Sequence, residues 1–190
     1  MKMASMKFTY LKEEFQNLPN EIKGITLIEN PYFDTCNNIS SLYVAKEYIS
    51  NAIIIDGDQI VTDSTILFPG FENSGYNCVW QENDSKEWML TLDEKFKVLS
   101  CIRTGGHHAW QLYGISRWTN EDGILLKELL ELEFVEKKNT QIYWDDIAMF
   151  EHFDKFNLQG YPMNPDSVKE IDCLDELIEE DDSYCSYRGA

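Results

Sequence analysis

At 190 residues, 43% of them hydrophobic and 13% aromatic, the chain is long enough to bury a core and reads as one domain over residues 1–190. Its 34 Asp and Glu against 16 Lys and Arg leave a net charge of −18, which speaks against a nucleic-acid partner, because a polyanion is repelled and no basic patch is present to release its counterions. No apolar run reaches the roughly 18 residues of a membrane span, and the opening MKMASMKFTYLKEEF lacks the apolar stretch of a secretory signal, so no membrane partner is expected and the cytoplasm is the expected compartment.

From the start, Phe8, Leu11, Phe15 and Leu18 recur at helical spacing among lysines and glutamates and predict a surface helix. Gly24-Ile-Thr-Leu-Ile-Glu-Asn30 alternates and runs into Pro31, predicting a strand and then a turn. Asn37 and Asn38 are capping residues, and Ile39, Leu42, Ala45 and Ile49 follow along one helical face. Ala52-Ile-Ile-Ile-Asp-Gly-Asp58 opens with a continuous apolar run of the kind that forms a strand buried on both faces in a parallel sheet, so a right-handed βαβ unit is expected here.

Four β-type segments follow, at Tyr76 to Gln81, Trp88 to Leu92, Lys97 to Ile102 and Ala109 to Trp118, and they predict an antiparallel extension. Amphipathic helices are expected over Glu121 to Val135 and Trp144 to Phe156. A strand near Gln159 to Met163 then leads into Lys169-Glu-Ile-Asp172 and a last helix, whose acidic residues up to Asp182 read as a solvated face.

The scattered cysteines Cys36, Cys78, Cys101, Cys173 and Cys185 never form CxxC, which favours neither a disulfide framework nor a zinc knuckle. His107, His108 and His152 lack partners at metal-ligand spacing and are expected on the surface. No G-x-S-x-G elbow occurs, which weakens a hydrolase reading.

Asp56 and Asp58 stand at the carboxyl end of the apolar strand, where open α/β sheets place their ligand crevice. Asp56 is expected to cap a turn. Asp58 is expected to hold Mg²⁺, a hard ion that binds one or two carboxylates together with substrate phosphates. Tyr143-Trp-Asp-Asp146 sets two rings before two acids. On composition this is either a capped helix start with core rings or a cage for a cationic head group, which Trp88 would help to close.

The strings Asn30-Pro-Tyr-Phe-Asp34, Asn37-Asn38-Ile-Ser-Ser-Leu-Tyr43 and Ile54-Ile-Asp-Gly-Asp58, taken in order with Lys86-Glu-Trp-Met-Leu90, Tyr113-Gly-Ile-Ser-Arg-Trp118, Tyr143-Trp-Asp-Asp146 and Lys169-Glu-Ile-Asp172, resemble the bacterial phosphocholine cytidylyltransferases. The resemblance covers about Phe8 to Leu177. It implies an α/β, Rossmann-like nucleotidyltransferase fold with a mixed sheet, of the superfamily that includes the sugar nucleotidyltransferases.

The same resemblance implies transfer of CMP from CTP to phosphocholine, with release of pyrophosphate. It makes Asp58 and Glu170 the catalytic Mg²⁺ ligands, and Trp88, Tyr143 and Asp145 the phosphocholine-binding residues. The family's first strand and glycine-rich triphosphate loop have no counterpart before Phe8, so the fold is expected to be N-terminally truncated. Weak CTP binding is expected in consequence, along with self-association or a partner subunit at an exposed sheet edge. Two alternatives stand beside the enzyme reading: a non-catalytic module that binds phosphocholine or another cation, and a nucleotidyltransferase acting on a different phosphorylated small molecule.

Overall fold

The ten residues Ala109–Trp118 form the longest strand in the computed structural model, which describes residue 20 and residues 22–188. In chain order the strands are β1 (Ala52–Ile55), β2 (Gln59–Val61), β3 (Gly75–Gln81), β4 (Met89–Leu92), β5 (Val98–Ile102), β6 (Ala109–Trp118), β7 (Gln159–Pro162) and β8 (Val168–Glu170). The helices are α1 (Ile39–Val44), α2 (Asn120–Glu131) and α3 (Leu174–Glu180). The helix expected from Phe8 to Leu18 lies outside the described residues.

Among the described residues, six strands form one mixed sheet in the order β5-β4-β6-β3-β7, with β1 paired to the far end of β6. Every pairing is antiparallel except β3 with β7. The apolar run of β1 is buried on both faces as expected: Ile54 joins the main core with Tyr76, Trp118 and Trp144, while Ile53 joins a smaller cluster with Ile115 and Val168. Its direction differs from the expectation. β1 lies antiparallel to β6, Ala52 facing Trp118 and Ile55 facing Ile115. A continuous apolar run reports burial on two faces and carries no information on strand direction.

Two further expectations are corrected. Residues 24–30 form no strand, so no βαβ unit is built from the described residues: alternation specifies a face, whereas a strand also needs a neighbour's ladder. The four middle segments are strands at nearly the predicted bounds, but they are the body of the sheet. β3 and β6 share the longest pairing, and Tyr76 and Cys78 of β3 are wholly buried.

Helix α2 starts where Thr119 accepts the Asp122 N–H and carries Glu121 and Asp122 in its first turn, an arrangement that satisfies free amides and suits the helix dipole. It buries Leu126, Leu129 and Leu130, then widens into a π-turn over Leu132–Glu136. The predicted helix from Trp144 to Phe156 is reduced to a π-turn, Ile147–Glu151, and a short 3₁₀ turn, Phe153–Lys155. It breaks at His152, whose φ of −138° leaves the helical region.

His152 is buried, not on the surface. Its Nε2 lies 2.7 Å from the fully buried Glu133 carboxylate, which also accepts Lys137 and Asn139. This cluster ties the end of α2 to the 147–151 turn. Burial pushes Glu133 up, but the hydrogen bonds from Lys137, Asn139 and His152 outweigh it and hold its carboxyl below the usual range.

Candidate functional site

The site begins where β1 ends. The Asp56 N–H donates to the Gly114 carbonyl at 2.9 Å, the last backbone bond between β1 and β6, and the Asp56 side chain lies across Gly114. A Cβ on residue 114 would sit 2.0 Å from Asp56 Oδ2, so glycine is what admits this carboxylate. The chain turns through Gly57 and Asp58 into β2, which pairs with β8 in a separate two-stranded sheet. In that register Gln59 faces Glu170, and the Ile171 N–H donates to the Asp58 carbonyl at 2.8 Å. Two carboxylates more than 100 positions apart, Asp58 and Glu170, are thereby brought to one place.

The second wall comes from elsewhere in the sequence. Trp88 enters just before β4. Tyr143 and Asp145 come from the turn leading to Ile147, which is fixed at its back by wholly buried Trp144, whose N–H donates to Asn38 Oδ1 at 2.9 Å. Trp88 and Tyr143 meet edge to face, with ring centroids 5.9 Å apart. All five residues expected in the site, Asp58, Glu170, Trp88, Tyr143 and Asp145, line one cleft of about 280 Å³.

The same cleft includes Asp56, Glu87 and Tyr113, and no Lys or Arg among its described lining residues. Asp56 was expected only to cap a turn. Its place in the cleft was readable, with hindsight, from Gly114 within Tyr113-Gly-Ile-Ser-Arg-Trp118, because a strand glycine marks a close approach. Glu87 carried no pattern that would single it out.

So many acids in one cleft raise one another's proton affinity. Burial, then the Asp172 and Asp58 carboxylates, push Glu170 up to about 7. Asp145 is held well above the usual carboxylate range, first by burial and then by Asp56. One oxygen each of Asp58 and Asp145 is buried without a hydrogen-bond partner. A buried acceptor with nothing to accept from is costly, and a bound cation relieves it.

These features fit a divalent ion at Asp58 and Glu170. Their oxygens are the hard donors that an ion such as Mg²⁺ takes, one or two carboxylates with water and phosphate oxygens completing its shell. The aromatic edge beside an orphaned Asp145 oxygen fits an organic cation.

The fold is that of solved nucleotidyltransferases. The solved CTP:phosphocholine cytidylyltransferase from Streptococcus pneumoniae superposes with a TM-score of 0.80 at 24% identity, covering 92% of this chain and 75% of that one. No family model matches the chain. Choline-phosphate cytidylyltransferase from Haemophilus influenzae is 31% identical over 169 residues, 88% of this chain and 71% of that protein. 2-Aminoethylphosphonate cytidylyltransferase from Lancefieldella rimae is 27% identical over 186 residues, 97% of this chain and 75% of that protein. The chain belongs to the bacterial choline-phosphate cytidylyltransferase family.

Proposed function

We propose that the chain is a cytidylyltransferase whose acceptor is phosphocholine. The observation that carries the reading is the joining of an acidic pair, Asp58 and Glu170, and an aromatic pair with an acid, Trp88, Tyr143 and Asp145, in one cleft. Relatives named for a phosphorylated aminoalcohol and for an aminoalkylphosphonate both support a small phosphorus acid with a cationic head as acceptor.

In this reading the ring faces of Trp88 and Tyr143 take the trimethylammonium group. Asp145, whose carboxyl is held well above the usual range by burial and then by Asp56, lies beside the rings as the counter-charge of the fixed cation. The head group so held aims the phosphate of the acceptor toward Asp58 and Glu170, where its oxygen attacks the α-phosphorus of CTP in line and pyrophosphate leaves. Mg²⁺ held by Asp58 and Glu170 would supply neutralisation of phosphate charge. The residues contribute position and field, with no covalent enzyme intermediate.

The test is Mg²⁺-dependent CMP transfer from CTP to phosphocholine by the wild type, Asp58→Asn and Glu170→Gln, with phosphocholine binding followed in parallel by calorimetry. Loss of transfer by on the order of 100-fold in each variant is expected. Full activity in either variant would remove it from the metal site. A second reading, a module that binds phosphocholine without turnover, rests on the wall formed by Trp88, Tyr143 and Asp145, which suits a cationic head group. Phosphocholine binding without transfer in the wild type would establish it.

A further inference from the structure

The aromatic wall of the cleft is braced from behind by a pair of charges that line no part of it. Asp146, 3% exposed, accepts the Tyr143 backbone N–H on Oδ2 at 2.9 Å and Arg103 Nη2 on Oδ1. The Arg103 guanidinium in turn lies over the Phe150 ring at 3.9 Å and beside the Trp88 ring at 5.5 Å. Phe150 meets Trp88 edge to face at 5.2 Å. One carboxylate thus joins the backbone of one cage wall, Tyr143, to the cation that rests against the other, Trp88.

The two walls come from distant stretches of chain, and the brace crosses between them: Arg103 immediately follows β5, while Asp146 and Phe150 belong to the turn after Tyr143. A planar guanidinium can stack on Phe150 and bond Asp146 at once. An ammonium keeps the charge but not the plane.

We propose that Arg103, anchored by Asp146, is a positioning residue that sets the separation of Trp88 and Tyr143 and thereby the preference of the cleft for a trimethylammonium head over a primary ammonium. The inference rests on the proposed acceptor site and adds what fixes its selectivity. Loosening Trp88 costs the bulky, weakly hydrated head its ring contacts. It costs less for a small ammonium, whose hold comes from Asp145 and hydrogen bonds.

Calorimetry with phosphocholine and phosphoethanolamine in Mg²⁺, on the wild type, Arg103→Met and Arg103→Lys, tests this. Arg103 is partly exposed, so all three chains are expected to fold, with melting temperature as the control. The expected result is a fall of about tenfold in the phosphocholine-to-phosphoethanolamine affinity ratio in Arg103→Met, partial recovery in Arg103→Lys, and unchanged Mn²⁺ affinity in both. An unchanged ratio in both variants overturns the inference and leaves the acceptor reading standing. An equal loss for both ligands, together with Mn²⁺ affinity and melting temperature, shows a merely structural role and also overturns it. No phosphocholine binding by the wild type overturns the acceptor reading itself, and the inference falls with it.

Discussion

Glu170 shows how a carboxylate lining the cleft can oppose folding. Its carboxyl titrates near 7 in the folded chain against an ordinary value of 4.5, so the folded state prefers it protonated. That preference helps folding below about pH 4.5 and is lost as pH rises through about 7. Because Glu170 reaches solvent, the effect is discounted to roughly 1 kcal/mol. Glu170→Gln is therefore expected to raise the melting temperature by about 2–4 °C at pH 8 and to leave it nearly unchanged at pH 4. A scan at both pH values checks the sign. Gly114→Ala acts in the opposite sense: the added methyl meets Asp56 Oδ2, and a loss of about 1–3 kcal/mol in urea unfolding is expected, with weaker Mn²⁺ binding as Asp56 is displaced. Trp88→Ala removes one ring of the cage and is expected to raise the phosphocholine dissociation constant roughly tenfold by calorimetry.

At the scale of elements, the junction between α2 and the 147–151 turn rests on one buried carboxylate. Glu133 accepts from Lys137 and Asn139 and lies against His152, so removing it leaves the buried His152 ring without its partner. Glu133→Ala is expected to cost about 3 kcal/mol in urea unfolding. Since the Glu133 carboxyl is held below the usual glutamate range, its contribution is fully present above about pH 4.5 and disappears as pH falls through its lower folded value. The wild type is thus expected to lose stability below pH 4.5 more steeply than the variant, which circular dichroism against pH would show. This junction also explains the shortened helix. Periodicity at Trp144 to Phe156 was legible, but the turn that stops it is made by a partner on another element.

At the scale of the whole molecule, the charge of −18 makes the folded state repel itself. Added salt screens that repulsion, so the melting temperature is expected to rise between about 10 mM and 0.5 M NaCl, and a flat response would show that the acids are locally compensated. The acids are not evenly spread. Asp56, Asp58, Glu87, Asp145 and Glu170 converge on one cleft, while the acidic residues of α3 stay on the exterior. Among the described residues no helix is long and apolar enough to cross a membrane.

The sequence by itself determined β1 and the four strands β3 to β6 close to their bounds, because alternation and apolar runs are local and their periods differ. The order of seven short motifs also singled out five residues that the structure gathers in one cleft. Only the tertiary structure decided that β1 runs antiparallel, that residues 24–30 join no sheet, and that Asp56 and the Arg103–Asp146 brace belong beside the site. Strand direction, ladder partners and cross-chain charge pairs are relations between distant segments. No local pattern encodes them, because the interacting groups become neighbours only once the β6 scaffold has brought them together.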